Sequence, residues 1–342
     1  MLNARSYRAR SAVLLTVAGL AAIGLTGCSS SSADSSSGSS KVSIVAYSVP
    51  KPAYDALEAA FAKTAQGKGA GFAASYGPSG DQSRAVANGQ KADYVAFSIL
   101  PDLTKLVPAF VATGWDSGPT KGLVSDSVVV IAVRRGNPKH ISGWADIVKP
   151  GVKIVTPDPG SSGSAKWNLL AAFAHGYING GGESGGEAYL KQFAANIVSK
   201  PSSGANATQT FLSGTGDVLI SYENEAIGAR QKGQSLDYVV PDDSFLIENP
   251  AAVTKKAPQA ARDFLSFVQS AAGQQVFAIK GYRPVLAGVP VGTVPGANDP
   301  NNPFPTVKTL TTVAELGGWS SVNTKYFDKA NGIVTTILKS AG

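Results

Sequence analysis

From Lys41 to the C-terminus, short apolar runs of strand character take turns with stretches whose apolar residues recur at helical spacing, which restricts the chain to an α/β fold. Strands are expected over Val42–Tyr47, Asp93–Ser98, Ser127–Arg134, Val152–Thr156, Asp217–Tyr222 and Tyr238–Pro241. Helices are expected over Ala53–Lys63, Gln82–Asn88, Lys166–Tyr177, Glu187–Asn196, Thr208–Leu212 and Pro258–Ser270, with a helical tail near Val322–Leu338. Within Lys166–Tyr177, Leu169, Leu170, Phe173 and Tyr177 share one face. Residues 285–308 are rich in Pro, Gly and Asn and read as a long surface loop. No internal repeat is apparent. About 300 residues are more than one core usually serves, so two domains are expected.

The first forty residues belong to a different regime. Arg5, Arg8 and Arg10 form a basic start, and an apolar run follows from Ala12 to Leu25, broken only by Thr16, Gly19 and Gly24. At 14 residues it is shorter than the roughly 20 needed to cross a bilayer and fits the core of a signal peptide. It ends in Leu25-Thr26-Gly27-Cys28, which resembles a bacterial lipobox. Residues 1–28 therefore read as a lipoprotein signal peptide with Cys28 as the lipidated residue. Cys28 is the only cysteine, so no internal disulfide can form. Residues 29–40, SSSSADSSSGSS, cannot bury enough apolar surface to order themselves and read as a flexible tether. Without the three arginines the formal charge drops from +7 to +4. That excess is spread along the chain, with no basic run dense enough for nucleic acid. No second segment is long and apolar enough to span a membrane, so membrane contact is expected through the lipid alone.

Three places share one local pattern, in which a strand, a short Ser/Gly stretch and a helix start follow one another. They are Tyr76–Gln82, Pro159–Ala165 and Pro201–Asn206. A serine there is an ordinary cap and a glycine allows close backbone approach. Three such junctions at strand carboxyl ends, where open α/β sheets bind ligands, point to a shared site. The first turn of a helix carries N–H groups without intrahelical partners and about half a positive charge. Such ends hold phosphate- or sulfate-like groups without charged side chains. A buried isolated charge costs tens of kcal/mol by the Born estimate, whereas each hydrogen bond to a charged group returns about 1.5–3 kcal/mol. A dry anion pocket thus needs many converging donors, more than one loop supplies.

Ser161-Ser162-Gly163-Ser164-Ala165-Lys166-Trp167-Asn168-Leu169-Leu170-Ala171-Ala172 and Gly216-Asp217-Val218-Leu219-Ile220-Ser221-Tyr222-Glu223-Asn224-Glu225-Ala226 strongly resemble signatures of the periplasmic sulfate-binding proteins. Ser79-Gly80-Asp81-Gln82-Ser83-Arg84-Ala85-Val86 is similar to that family's first anion loop. Arg135-Gly136-Asn137-Pro138-Lys139, Lys149-Pro150-Gly151-Val152 and Gly317-Gly318-Trp319 also look like family segments, and the resemblance runs from Val42 to the C-terminus. It implies a two-lobed type II periplasmic-binding-protein-like fold with the ligand cleft between the lobes. It also implies a solute-binding protein of an ABC-type importer, anchored at the outer face of the bacterial cytoplasmic membrane. Its partners would be sulfate and the importer's permease and ATPase subunits. The family's anion donors fall at Ser79, Ser162, Gly163, Ser164, Ala205 and Tyr222. Three positions depart from the family pattern: residue 164 is usually glycine, residue 81 usually lysine, and Tyr222 stands where a tryptophan donates its indole N–H. A phenol donates as well but can also accept.

Lobe one is expected to comprise residues 41–126 and 249–342, and lobe two residues 127–248. Ser127–Arg134 and Ile247–Lys255 are the expected hinge strands. The chain is expected to be a monomer that binds and delivers, with no cofactor, no metal and no catalysis. Thiosulfate, molybdate and phosphate remain alternative cargoes. A remoter alternative is a serine hydrolase or transferase, because Ser48-Val49-Pro50-Lys51 spells S-x-x-K and Ser125-Asp126-Ser127 resembles a second motif of such enzymes. Pro50 and Pro52 disfavour the helix that motif requires, and no K-T-G follows. The two histidines, His140 and His175, read as structural, and no second cysteine or paired-histidine motif offers a transition-metal site. Glu223 and Glu225 flank the expected site. A carboxylate aimed at the anion would repel it, so both are expected to contact neighbouring protein groups, and Asp81 to stabilise a first helical turn.

Overall fold

The computed structural model describes residues 41–341, so the signal-peptide and tether readings and Cys28 lie outside the described residues. The chain begins with β1 (Val42–Tyr47), α1 (Lys51–Phe61), β2 (Phe72–Gly77), α2 (Ser79–Ala87), β3 (Tyr94–Ala96) and α3 (Leu100–Thr104). The long strand β4 (Leu123–Arg134) leads to α4 (Trp144–Ile147), β5 (Ile154–Val155), α5 (Gly163–Asn179), α6 (Glu183–Ala195), β6 (Ile197–Ser199), α7 (Gly204–Leu212), β7 (Val218–Tyr222), α8 (Glu223–Gln231) and β8 (Leu236–Val239). A second long strand, β9 (Asp243–Val253), precedes α9 (Gln259–Val268), α10 (Ala271–Ile279), β10 (Thr309–Thr311), α11 (Gly318–Phe327) and α12 (Ile333–Ser340).

The main strand order is β2-β1-β3-β9-β4-β7-β5-β6. Two parallel groups sit at its ends: β1 pairs parallel with β2 and β3, and β5 pairs parallel with β6 and β7. The antiparallel pair β4–β9 lies between them, running from Leu123↔Pro250 to Val128↔Leu246. The far end of β9 pairs with β3 and the far end of β4 with β7 and β8, so the two groups are joined through the β4–β9 pair. This is the two-lobed α/β arrangement, with β4 and β9 as the strands that cross between lobes.

Each group has a core, and that of the second also takes in Tyr47, Val49 and Ile99 from the first. In α1 the buried face is Ala53, Tyr54, Leu57 and Phe61, which packs with Val42, Ile44, Phe264 and Phe277. In the other group α5 is buried on nearly every side, and its Trp167, Leu169, Leu170 and Phe173 share a core with Ile131, Ile154 and Ile220. The sequence reading located β1 at its observed limits. It left β2, β6, β10, α3, α4, α8 and α10 unassigned and began β9 late. Most of these are short or lack a sustained apolar period.

The C-terminal helices pack on α5 and α6. Val322 and Tyr326 of α11 and Val334 and Ile337 of α12 join the core of Trp167, Phe173 and Phe193. Val294, Ala297 and Val307 of the preceding segment pack with Val128, Phe211 and Ile227. The tail from about residue 285 thus packs with α5, α6, α7 and α8, whereas the sequence reading grouped residues 249–342 with 41–126. Helix amphipathicity tells that a face is buried, not which lobe covers it.

Candidate functional site

Parallel strands deliver their carboxyl ends to one edge, and here the edges of the two groups meet. β2 runs into α2 through Gly77-Pro78, and Ser79 is the first residue of that helix, with Pro78 unable to cap it. Ser162 precedes α5 in extended backbone and its side chain makes no capping bond. The start of α7 differs: Ser203 Oγ accepts from Asn206 N at 3.1 Å. β7 passes into α8 at Tyr222, whose side chain caps nothing. α2, α5 and α7 begin earlier than their apolar patterns indicate, because their first turns are rich in small Ser, Gly and Ala residues.

Ser98, which follows β3, ties these pieces together. Its Oγ lies 2.7 Å from the Tyr222 hydroxyl, and its N–H donates to Ser79 Oγ at 3.0 Å. Its carbonyl accepts from Trp167 Nε1 and from Asn249 Nδ2, each at 2.9 Å. Asn249 Oδ1 in turn accepts from the Tyr47 hydroxyl at 2.9 Å, linking β1 and β9. A methyl group added at Gly163 would meet Ser98 Oγ at 2.6 Å and Ser98 Cβ at 2.7 Å, so only glycine fits. Nearby, Gly80 N donates to Ser161 O at 3.0 Å, joining the starts of α2 and α5. A Cβ at Gly204 would meet Ser164 Oγ and Val49 Cγ2 at 2.9 Å and Glu225 Oε2 at 3.1 Å. The six residues that the sequence singled out are thus brought to one neighbourhood. Ser79, Ser162, Gly163, Ser164 and Tyr222 are buried, and Ala205 is half-buried.

Their chemistry is not uniform. The single proton of the Ser79 hydroxyl goes to Asp102 Oδ2 at 2.8 Å, and Asp102 is also paired with Lys105 at 3.1 Å. In this arrangement Ser79 holds its neighbours in place, and its hydroxyl is not turned to a ligand. Burial pushes the Tyr222 phenol well above its ordinary range, with hydrogen bonds to Ser164 and Ser98 pulling it partly back. It stays protonated at neutral pH and has a proton to donate.

Of the flanking carboxylates, Glu223 is fully buried and held by Arg283 through two bonds, Nε to Oε2 at 2.7 Å and Nη2 to Oε1 at 3.0 Å. Glu225 accepts from Thr208 Oγ1 at 3.0 Å and from Ser221 Oγ at 2.9 Å. Burial raises the pKa of both carboxyls, opposed by those partners. Asp81 lies in the first turn of α2 and pairs with Arg84.

Sequence reasoning missed Ser98 and Asn249. Ser98 is another serine between a strand and a helix, but without the glycine that marked the other three junctions. Asn249 is a polar residue inside the apolar run Phe245–Val253, which was its available signal. Elsewhere, Lys51 is committed to Asp55 at 2.7 Å on the exposed face of α1, so the S-x-x-K pairing is not made. His175 contacts Asp243 at 2.9 Å and stacks on Trp144, a packing role.

The sequence of residues 42–283 matches the family described as bacterial extracellular solute-binding protein. The chain belongs to that family. It is 36% identical to the sulfate-binding protein of Synechococcus elongatus, with 89% of each chain covered. It is 32% identical to the thiosulfate-binding protein of Escherichia coli K12, covering 74% of this chain and 77% of that one. Among solved structures, the sulfate-binding protein SubI from Mycobacterium tuberculosis H37Rv superposes with a TM-score of 0.79 at 42% identity, covering 84% of this chain and 99% of that one. The two-lobed type II fold is shared with it. Among the described residues no helix is long and apolar enough to cross a membrane.

Proposed function

We propose that this solute-binding protein captures sulfate between its lobes and delivers it to the permease and ATPase subunits of an ABC-type importer. It works as a monomer at the outer face of the cytoplasmic membrane, held there by lipid on Cys28 after removal of the signal peptide and linked through the 29–40 tether. The observation that carries this reading is the buried, uncapped start of α5, where Ser162, Gly163 and Ser164 leave the first-turn donors without a side-chain partner. That turn suits an anion that carries no proton of its own. Ala205 at the start of α7 and the Tyr222 hydroxyl add donors, and Ser79 shapes the opposite wall. The names of the Synechococcus elongatus relative and of SubI agree with this cargo.

The lobes follow from the same reading. Residues 41–126 and 249 to about 284 form one, residues 127–248 and the C-terminal tail form the other, and β4 and β9 act as hinges. The protein does no chemistry. Thiosulfate is the second reading, favoured by the thiosulfate-binding relative.

Calorimetric titration with sulfate, thiosulfate, molybdate and phosphate tests the cargo. Sulfate is expected to bind tightest, and a preference for phosphate would remove the donor-only account of the site. The anchor is tested separately by Cys28→Ala, which is expected to leave the membrane fraction or to remain unprocessed. A variant found in that fraction at mature size would refute it.

A further inference from the structure

The two flanks of the site are built differently. On the α2–α5 flank the lobes are sealed by Gly80 N–H on Ser161 O, by Gly163 against Ser98 and by the Trp167 indole on the Ser98 carbonyl. On the other flank a cavity of about 450 Å³ remains between α1, the segment after α10, α7 and α8. Ser48 and Val49 line it from one lobe and Ala205 from the other, so it reaches the edge of the proposed anion site.

Three lysines also line this cavity: Lys51 and Lys280 from the β1–β3 lobe, and Lys232 from the end of α8. Lys51 is neutralised by Asp55. Among the described residues Lys232 and Lys280 form no ion pair within 4.0 Å. The only carboxylate in the lining is Glu225, and two hydroxyls already occupy it. Behind this lining the buried Asn224 Oδ1 has no hydrogen-bond partner. We propose that sulfate enters and leaves through this cavity, steered by Lys232 and Lys280, one from each lobe.

The inference rests on the sulfate reading. A cleft whose lining is on balance positive, here three lysines against Glu225, raises the encounter rate of an anion and loses that advantage as salt is added. It need not change the rate of escape from the site itself. A second consequence is steric. Gly228 of α8 lines the cavity, has ordinary helical backbone, and a Cβ there meets nothing within 4 Å. Gly228→Tyr therefore places a plug in the passage without strain at the backbone.

Stopped-flow measurement of sulfate association and dissociation tests both parts. Lys232→Glu combined with Lys280→Glu is expected to slow association by about tenfold at low salt, with the gap closing at high salt and dissociation unchanged. Gly228→Tyr is expected to slow association and dissociation together and leave the equilibrium affinity unaltered. Association that ignores the lysines, or a plug that leaves both rates untouched, overturns the proposal and means that the anion arrives through a widely opened cleft. A wild-type protein that binds no sulfate at any salt concentration defeats the underlying reading instead, and the passage with it.

Discussion

The two walls of the site use the same residue types for opposite ends. On the β5–β7 wall, Ser162, Gly163 and Ser164 stand at a helix start whose side chains cap nothing. On the β1–β3 wall the hydroxyls are already bound to protein: Ser79 donates to Asp102, and Ser98 pairs with Tyr222. One wall keeps its backbone donors open. The other is a preformed surface, satisfied internally, against which the first can close. A serine at a helix start is therefore not evidence of a ligand contact until its own partners have been counted.

The sharpest way to break this division is Gly163→Ala. The added methyl would lie 2.6 Å from Ser98 Oγ, so the walls could not approach as they do. Overpacking of this kind costs about 3 kcal/mol, which predicts a loss of sulfate affinity of roughly a hundredfold or more. Because the clash is between walls, the thermal midpoint of the ligand-free protein should change little. A normal dissociation constant by calorimetry would show that the walls do not meet at this point.

Tyr222→Phe probes the group that spans the walls. Removing the phenol proton should weaken sulfate binding by about 2 kcal/mol, within the range for a hydrogen bond to a charged group. Tyr222→Trp, which restores a donor, should largely preserve binding. If the wild type instead prefers phosphate and Tyr222→Phe abolishes that preference, the phenol accepts a proton rather than donating one.

Ser79→Ala is expected to have the smallest effect. Its hydroxyl is directed at Asp102, so the variant should lose about 1 kcal/mol of folding stability and little affinity beyond that. Urea titration and calorimetry on the same sample separate the two. An affinity loss as large as that of Tyr222→Phe would mean that Ser79 turns from Asp102 to the anion on binding.

How much of this was legible in the sequence depended on the kind of signal each element carries. β1 was readable to the residue because Val42–Tyr47 is a buried run with clear ends. β2 was not, since Phe72-Ala73-Ala74-Ser75-Tyr76-Gly77 is an edge strand with largely accessible side chains and no strong alternation. α8 went unassigned because Glu223-Asn224-Glu225 follows the strand directly and looks like a polar turn. The helix starts at 79, 163 and 204 were set several residues late for one reason. Their first turns contain residues chosen for smallness and free N–H groups, so apolar periodicity begins only after them. The site neighbourhood was legible through its glycines and serines. Ser98 and Asn249 were not, because their roles depend on partners more than 100 residues away in the chain. The docking of α11 and α12 was equally hidden, since nothing local distinguishes one apolar surface from another.

The bond from Trp167 to the Ser98 carbonyl has an optical side. Trp167 is fully buried, packs edge-on against Trp319 with ring centres 4.9 Å apart, and reaches from α5 to the residue that follows β3. Separation of the lobes would sever that bond and admit water to the indole, shifting its emission toward the red. Closure would shift it back. On the proposed hinge motion, the protein would carry an intrinsic chromophore at the seam between its lobes, able to report the opening and shutting of the cleft without any attached label.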